Sequence, residues 1–164
     1  MMAATTHEKI LTDEMIEQIT ALFPRYPSRQ AVTLPALHIV NEKLRYVPIQ
    51  AVVEIAAMLG LAPADVQDTL SFYGFFKQDK PHGKVRAWVC RSISCHLLGA
   101  EQVLEHLCRK LHIQPGETTP DDKITVEFAE CLGACEFAPC MLANDDLHPC
   151  LTKDKVDKYL KELH

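Results

Sequence analysis

Seven cysteines lie in the second half of the chain: Cys90, Cys95, Cys108, Cys131, Cys135, Cys140 and Cys150. A thiol becomes a soft metal ligand once it loses its proton. Four of the seven fall in two short segments, Cys90-Arg-Ser-Ile-Ser-Cys95 and Cys131-Leu-Gly-Ala-Cys135. Four converging thiolates are the donor set of a [2Fe–2S] cluster, two on each iron. Pairing Cys90 with Cys95 and Cys131 with Cys135 gives each segment one iron. Two other readings stay open on spacing alone. One is a Cys₄ zinc staple, although zinc ribbons favour tighter C-x₂-C knuckles. The other is a set of small buried hydrophobes, the reading expected for Cys108 in its helical pattern. No C-x-x-C exists to suggest thiol–disulfide exchange. Four thiolates complete such a site, so His82, His96 and His148 are not needed as ligands.

The ligands require loops at one edge of a sheet, and the flanking residues provide for them. Val85, Ala87 and Val89 alternate with Lys84, Arg86 and Trp88, which predicts a strand ending at Cys90. Ile124, Val126 and Phe128 alternate in the same way before Cys131. A helix is expected between them, from about His96 to Leu111, so the strand–helix–strand unit favours parallel pairing. Parallel strands release both cysteine segments at one edge. Gly133 permits a tight turn there, and turn amides can point at anionic sulfur. A short third strand is expected over Pro139 to Ala143, and Thr152 can cap a last helix.

The first eighty residues read as helices. Thr12 caps one running to Leu22; a second covers Thr33 to Tyr46; a third follows Pro48 and stops before Gly60; a short fourth opens at Pro63. Ser71-Phe72-Tyr73-Gly74-Phe75-Phe76 is an aromatic knot, expected in a core or at a seam with another body. Lys77 to Gly83 reads as a hinge. The expected organisation is a helical region, 1–80, followed by an α/β domain, 81–164.

Composition narrows the function classes. The chain is 48% hydrophobic and 24% charged with net charge −5, and acidic residues outnumber basic ones in both halves. Nucleic-acid binding needs a basic face, so that class is set aside. No apolar run has the length of a membrane span. The first ten residues show neither a signal core nor a transit pattern, so a cytoplasmic location is expected, where disulfides are rare. No G-x-G-x-x-G turn and no P-loop is present, so the chain is not expected to bind or oxidise NADH alone.

The cysteine pattern and its surroundings resemble the NuoE-type [2Fe–2S] subunits of respiratory complex I, the NADH:quinone oxidoreductase. The resemblance rests on Cys90, Cys95, Cys131 and Cys135 in C-x₄-C…C-x₃-C order. It extends to Leu34-Pro-Ala-Leu-His38, Ser71-Phe-Tyr73, Ile93-Ser-Cys95, Gly99-Ala-Glu101, Pro115-Gly-Glu-Thr-Thr119, Glu130-Cys-Leu-Gly-Ala-Cys135 and Ala138-Pro139. It implies a helical N-terminal part followed by a thioredoxin-like domain. It also implies one [2Fe–2S] cluster on the four cysteines, and a larger flavoprotein partner carrying FMN and the NADH site. Location then becomes peripheral, on the cytoplasmic face of the inner membrane through further subunits of the host complex. Related subunits serve NAD-linked formate dehydrogenases and hydrogenases. Two residues depart from the pattern. Cys140 stands where an aliphatic residue is expected, and with Cys135 it repeats the C-x₄-C spacing, an alternative ligand choice at that loop. Cys150 is also unusual.

Overall fold

The computed structural model describes residues 9–163. The leader-free reading of the first ten residues falls, for residues 1–8, outside the described residues. The chain forms two compact units, Met1–Pro81 and His82–His164.

The described residues of the first unit form four α-helices: α1 (Asp13–Leu22), α2 (Thr33–Leu44), α3 (Ile49–Leu59) and α4 (Pro63–Phe72). Thr12 caps α1, its hydroxyl accepting from the Met15 amide at 3.3 Å, and Asp13 and Glu14 favour the positive end of the helix. α2 stops earlier than expected, at Leu44, because Arg45 takes the left-handed conformation (φ 65°) and its amide bonds back to Asn41. Gly60, also left-handed, closes α3. The core is aliphatic and includes Ile19, Leu37, Val40, Val52 and Ile55. The aromatic knot divides. Phe76 is 7% exposed and packs in the core, whereas Phe72 is 80% exposed and Tyr73 is also exposed.

The second unit is a four-stranded mixed sheet with three helices. Its elements are β1 (Val85–Cys90), α5 (Ile93–Leu97), α6 (Ala100–Leu111), β2 (Ile124–Ala129), β3 (Met141–Ala143), β4 (Asp146–His148) and α7 (Lys153–Glu162). The sheet order is β2-β1-β3-β4, with β1 and β2 parallel and β3 antiparallel to β1. Ala87 and Val89 join Val103, Leu104, Leu107 and Val156 in one core. Two features differ from expectation. The helix foreseen from His96 is broken into α5 and α6, because Gly99 sits at φ 92° and ends the first piece. The third strand also folds back through Asn144 into β4, an edge strand too short and polar to be foreseen. The polar residues of β1 are buried as well. The Arg86 Nε donates to Glu127 at 2.6 Å, and Trp88 Nε1 donates to the same carboxylate at 3.0 Å. A buried ion pair is tolerated only when matched in this way. Among the described residues no helix is long and apolar enough to cross a membrane.

Candidate metal centre

β1 ends on Cys90 in register with Ala129, the last residue of β2. Both cysteine loops therefore leave the same edge of the sheet. The Arg91 amide donates to the Ala129 carbonyl at 2.9 Å, and the Cys90 amide donates to the Cys140 carbonyl at 3.1 Å. The end of β1 is thus held on one side by the chain leading to Cys131 and on the other by the chain leading into β3.

The first loop turns inward. After Cys90, Ser92 opens α5, and the His96 amide donates to the Ser92 carbonyl at 2.8 Å. This one-turn helix buries Cys95 and leaves Ile93 and Leu97 exposed. Cys90 is likewise buried. The second loop stays at the surface. Cys131 and Cys135 are exposed, with their sulfurs 3.8 Å apart. Gly133 adopts φ 76° and its amide donates to the Cys131 sulfur at 3.4 Å. A non-glycine residue would be strained in that conformation.

The structure thus brings Cys90 together with Cys95, and Cys131 together with Cys135. It also adds Cys140 to the first pair. Val89 faces Met141 across the antiparallel ladder, so Cys140 stands beside Cys90 one step further along. The sulfurs of Cys90, Cys95 and Cys140 lie within 4.8 Å of one another, and Cys95 and Cys140 are 3.9 Å apart. Cys108 is buried on α6 and Cys150 is exposed; neither joins the group. Loop spacing does not show the role of Cys140, since its position comes from strand register. The sequence signals were its aliphatic-to-cysteine departure and its spacing from Cys135.

A metal ion holding two thiolates at about 2.3 Å in tetrahedral geometry sets their sulfurs about 3.8 Å apart. The observed separations of 3.8 and 3.9 Å match that edge, and both are far beyond the ~2.05 Å of a disulfide. The donor set is wholly thiol, which suits iron–sulfur chemistry.

The two loops also differ in proton affinity. Cys131 is held below the usual thiol range, first by the Gly133 amide and then by the Cys135 and Ser92 side chains. Cys135 is raised by its hydrogen bond to Cys131 and by the charge of that neighbour. Burial raises Cys95, and burial together with the neighbouring Cys95 pushes Cys140 up to about 12. A bound cation would hold each thiol it ligates deprotonated, whatever this ordering. Arg91 lies in the first loop, and its guanidinium is paired with the Glu130 carboxylate.

Comparison with known proteins agrees with this geometry. Residues 16–164 match the family described as thioredoxin-like [2Fe-2S] ferredoxin. The chain is 39% identical to an NADH-quinone oxidoreductase subunit of Rhizobium meliloti, over 90% of this chain and 87% of that one. It is 34% identical to NADH-quinone oxidoreductase subunit 2 of Thermus thermophilus, over 92% of this chain and 84% of that one. Among solved structures, an NAD+-reducing [NiFe]-hydrogenase in the air-oxidised state superposes with a TM-score of 0.70 at 28% identity. That match covers 80% of this chain but only 22% of the hydrogenase chain. With a match over nearly its whole length and thiols at metal-ligand separation on one sheet edge, the chain belongs to the thioredoxin-like [2Fe–2S] ferredoxin family.

Proposed function

We propose that this chain is the electron-transfer subunit of an NADH:quinone oxidoreductase, holding one [2Fe–2S] cluster on Cys90, Cys95, Cys131 and Cys135. The observation that carries the ligand choice is the grouping at one edge of the sheet, with the Cys131 and Cys135 sulfurs 3.8 Å apart and those of Cys90 and Cys95 within 4.8 Å of each other. Cys90 and Cys95 approach from the core side, and Cys131 and Cys135 close the site from the surface. The cluster, when bound, supplies one-electron exchange. The residues of this chain hold it and set its surroundings. The Gly133 amide and the serines of the first loop place hydrogen-bond donors at the cysteine sulfurs. The exposed second loop leaves a short path for an electron between the site and a neighbouring protein.

That neighbour is a larger flavoprotein subunit carrying FMN and the NADH site, with further subunits of the host complex beyond it. Region 1–80 serves as the docking part and region 81–164 as the cluster domain. Phe72 and Tyr73, exposed on the helical unit, are positioned to meet the partner. Attachment to a membrane is peripheral and cytoplasmic, through the host complex. The resemblance to the NAD+-reducing hydrogenase favours a second host of the same kind, a soluble diaphorase module with the same subunit role.

Anaerobic purification of the tagged chain from its native cell tests both levels. The expected result is a red-brown complex with a rhombic EPR signal after reduction. A flavoprotein should co-purify with it, and NADH oxidation should be confined to fractions that contain that flavoprotein. A colourless, zinc-loaded chain would overturn the cluster assignment. NADH turnover by the chain alone would overturn its role as a subunit.

A further inference from the structure

Cys140 has no part in the four-cysteine site, yet it is fully buried (0% exposed) and lies among its ligands. Strand register puts its backbone against Cys90, whose amide donates to the Cys140 carbonyl at 3.1 Å. Its sulfur is 3.9 Å from that of Cys95, the edge length of a tetrahedral thiolate site at ~2.3 Å bonds. Cys90, Cys95 and Cys140 therefore form a triangle in which any two sulfurs are close enough to share a metal ion. The outer pair has no such neighbour: among the described residues no third ligand atom lies within 4.8 Å of both the Cys131 and the Cys135 sulfur.

We infer that Cys140 is a reserve ligand: the inner iron can be held by any two of Cys90, Cys95 and Cys140, whereas the outer iron depends strictly on Cys131 and Cys135. The two alternatives differ in flexibility. Cys95 rides on the five-residue α5, and Cys140, just before β3, is held by the Cys90 amide beside the ladder to β1. Exchange forms one bond from iron to the Cys140 sulfur and breaks the bond to the departing ligand. The Cys140 proton goes to solvent, and no electron is transferred.

The inference rests on the cluster assignment above, so wild-type protein is reconstituted with iron and sulfide in parallel with every variant. Iron per chain, visible charge-transfer bands and reduced-state EPR are read for each. Cys95→Ser and Cys90→Ser are expected to keep a full complement of iron and an all-thiolate spectrum. Adding Cys140→Ser to either should cut the iron content severalfold or shift the bands toward oxygen ligation. Cys131→Ser should show that loss or shift as a single substitution. Cys140→Ser alone should keep the wild-type spectrum.

Retention in both inner variants, abolished in each by the added Cys140→Ser, supports the inference. Loss in either inner variant, or retention that ignores Cys140, overturns it. Loss in Cys140→Ser alone would make Cys140 a resident ligand and also overturn it. A wild-type chain that takes up no cluster sinks the cluster assignment and this inference together.

Discussion

The two units of this chain solve the core problem in different ways. The helical unit closes its core with hydrocarbon, and its described core contains no cysteine. Its one partly buried carboxylate among the described residues is fully employed: Glu54 accepts from the Ile10 amide at 3.0 Å and the Leu11 amide at 2.8 Å, fastening the segment before α1 onto α3. The sheet unit instead buries Cys90, Cys95, Cys108 and Cys140 in its core and leaves Cys131 and Cys135 exposed at its edge. Three of those buried sulfurs crowd within 4.8 Å of one another. One unit packs an apolar core without thiols. The other reaches its full set of interactions only with a metal to draw its thiols together, so its folding free energy and its metal binding are one quantity.

The sharpest test of that difference is the outer ligand pair. Cys131→Ser or Cys135→Ser should cut iron per chain severalfold or shift the charge-transfer bands toward oxygen ligation. Far-UV circular dichroism of the helical unit should be unchanged. An intact cluster in either variant, read by EPR, would break the assignment of the second loop.

Next in size is removal of the cluster by chelation. Calorimetry should then show two transitions, as expected when a chain ceases to unfold as one body. The transition of the sheet unit should fall by roughly 10 °C, equivalent to about 2 kcal/mol for a unit of about 80 residues. The transition of the helical unit should stay where it was. Equal shifts in both would remove the distinction between them.

Within the helical unit the corresponding weak point is Glu54. Burial pushes its carboxyl up, but the Ile10 and Leu11 amides and the Gln50 side chain outweigh it, and the group lies below its ordinary value. A lowered folded-state pKa gives stability that is present above the unfolded value of about 4.3 and is lost as pH falls through the folded value. Glu54→Ala should destabilise this unit by about 1–3 kcal/mol at neutral pH, the range for leaving buried amides without their acceptor. Glu54→Gln should flatten the loss of stability between about pH 5 and pH 3. An unaltered acid limb in Glu54→Gln, followed by thermal melts, would count against this account. The cluster spectrum should be indifferent to both changes.

Much of this contrast could be read from the sequence. Alternation in Val85–Val89 and Ile124–Phe128 predicted the parallel pair that sets Cys90 opposite Ala129, and so predicted one edge for both loops. Thr12 and Gly60 marked helix ends through capping chemistry that is local in sequence. What stayed hidden depends on distant parts of the chain. Leu97 and Leu98 extend the apolar pattern of α6, yet Leu97 is 76% exposed, because Gly99 at φ 92° breaks the helix after them and leaves Leu97 on the separate α5. Arg45 ends α2 in a conformation that glycine usually supplies. Cys140 comes to lie beside Cys90 and Cys95 through pairing between β1 and β3, which no local spacing reports.

The smallest expected effect concerns the potential of the cluster, where the surface of the sheet unit matters more than its core. From Ile124 to Leu151 there is no Lys or Arg, while Glu127, Glu130, Glu136, Asp145 and Asp146 are present. The structure refines that list. Glu127 is neutralised by Arg86 at 2.6 Å, and Glu130 is paired with Arg91, the one cation inside either cysteine loop. Arg91 is therefore not free to favour the reduced, more negative cluster, and Glu136 within the second loop region acts against it. A midpoint on the order of −300 mV or lower follows, within the range of such clusters. Glu130→Gln removes one negative charge beside the second loop and releases Arg91 from its ion pair. Both changes favour the extra electron, so the midpoint should rise. Exposed charges are well screened, so the rise should be roughly 20–40 mV, the one-electron equivalent of about 0.5–1 kcal/mol. Redox titration followed by EPR measures it, and Glu14→Gln on the helical unit provides the control. A downward shift in Glu130→Gln, or a wild-type midpoint near zero, would show that backbone amides rather than side-chain charges govern the potential.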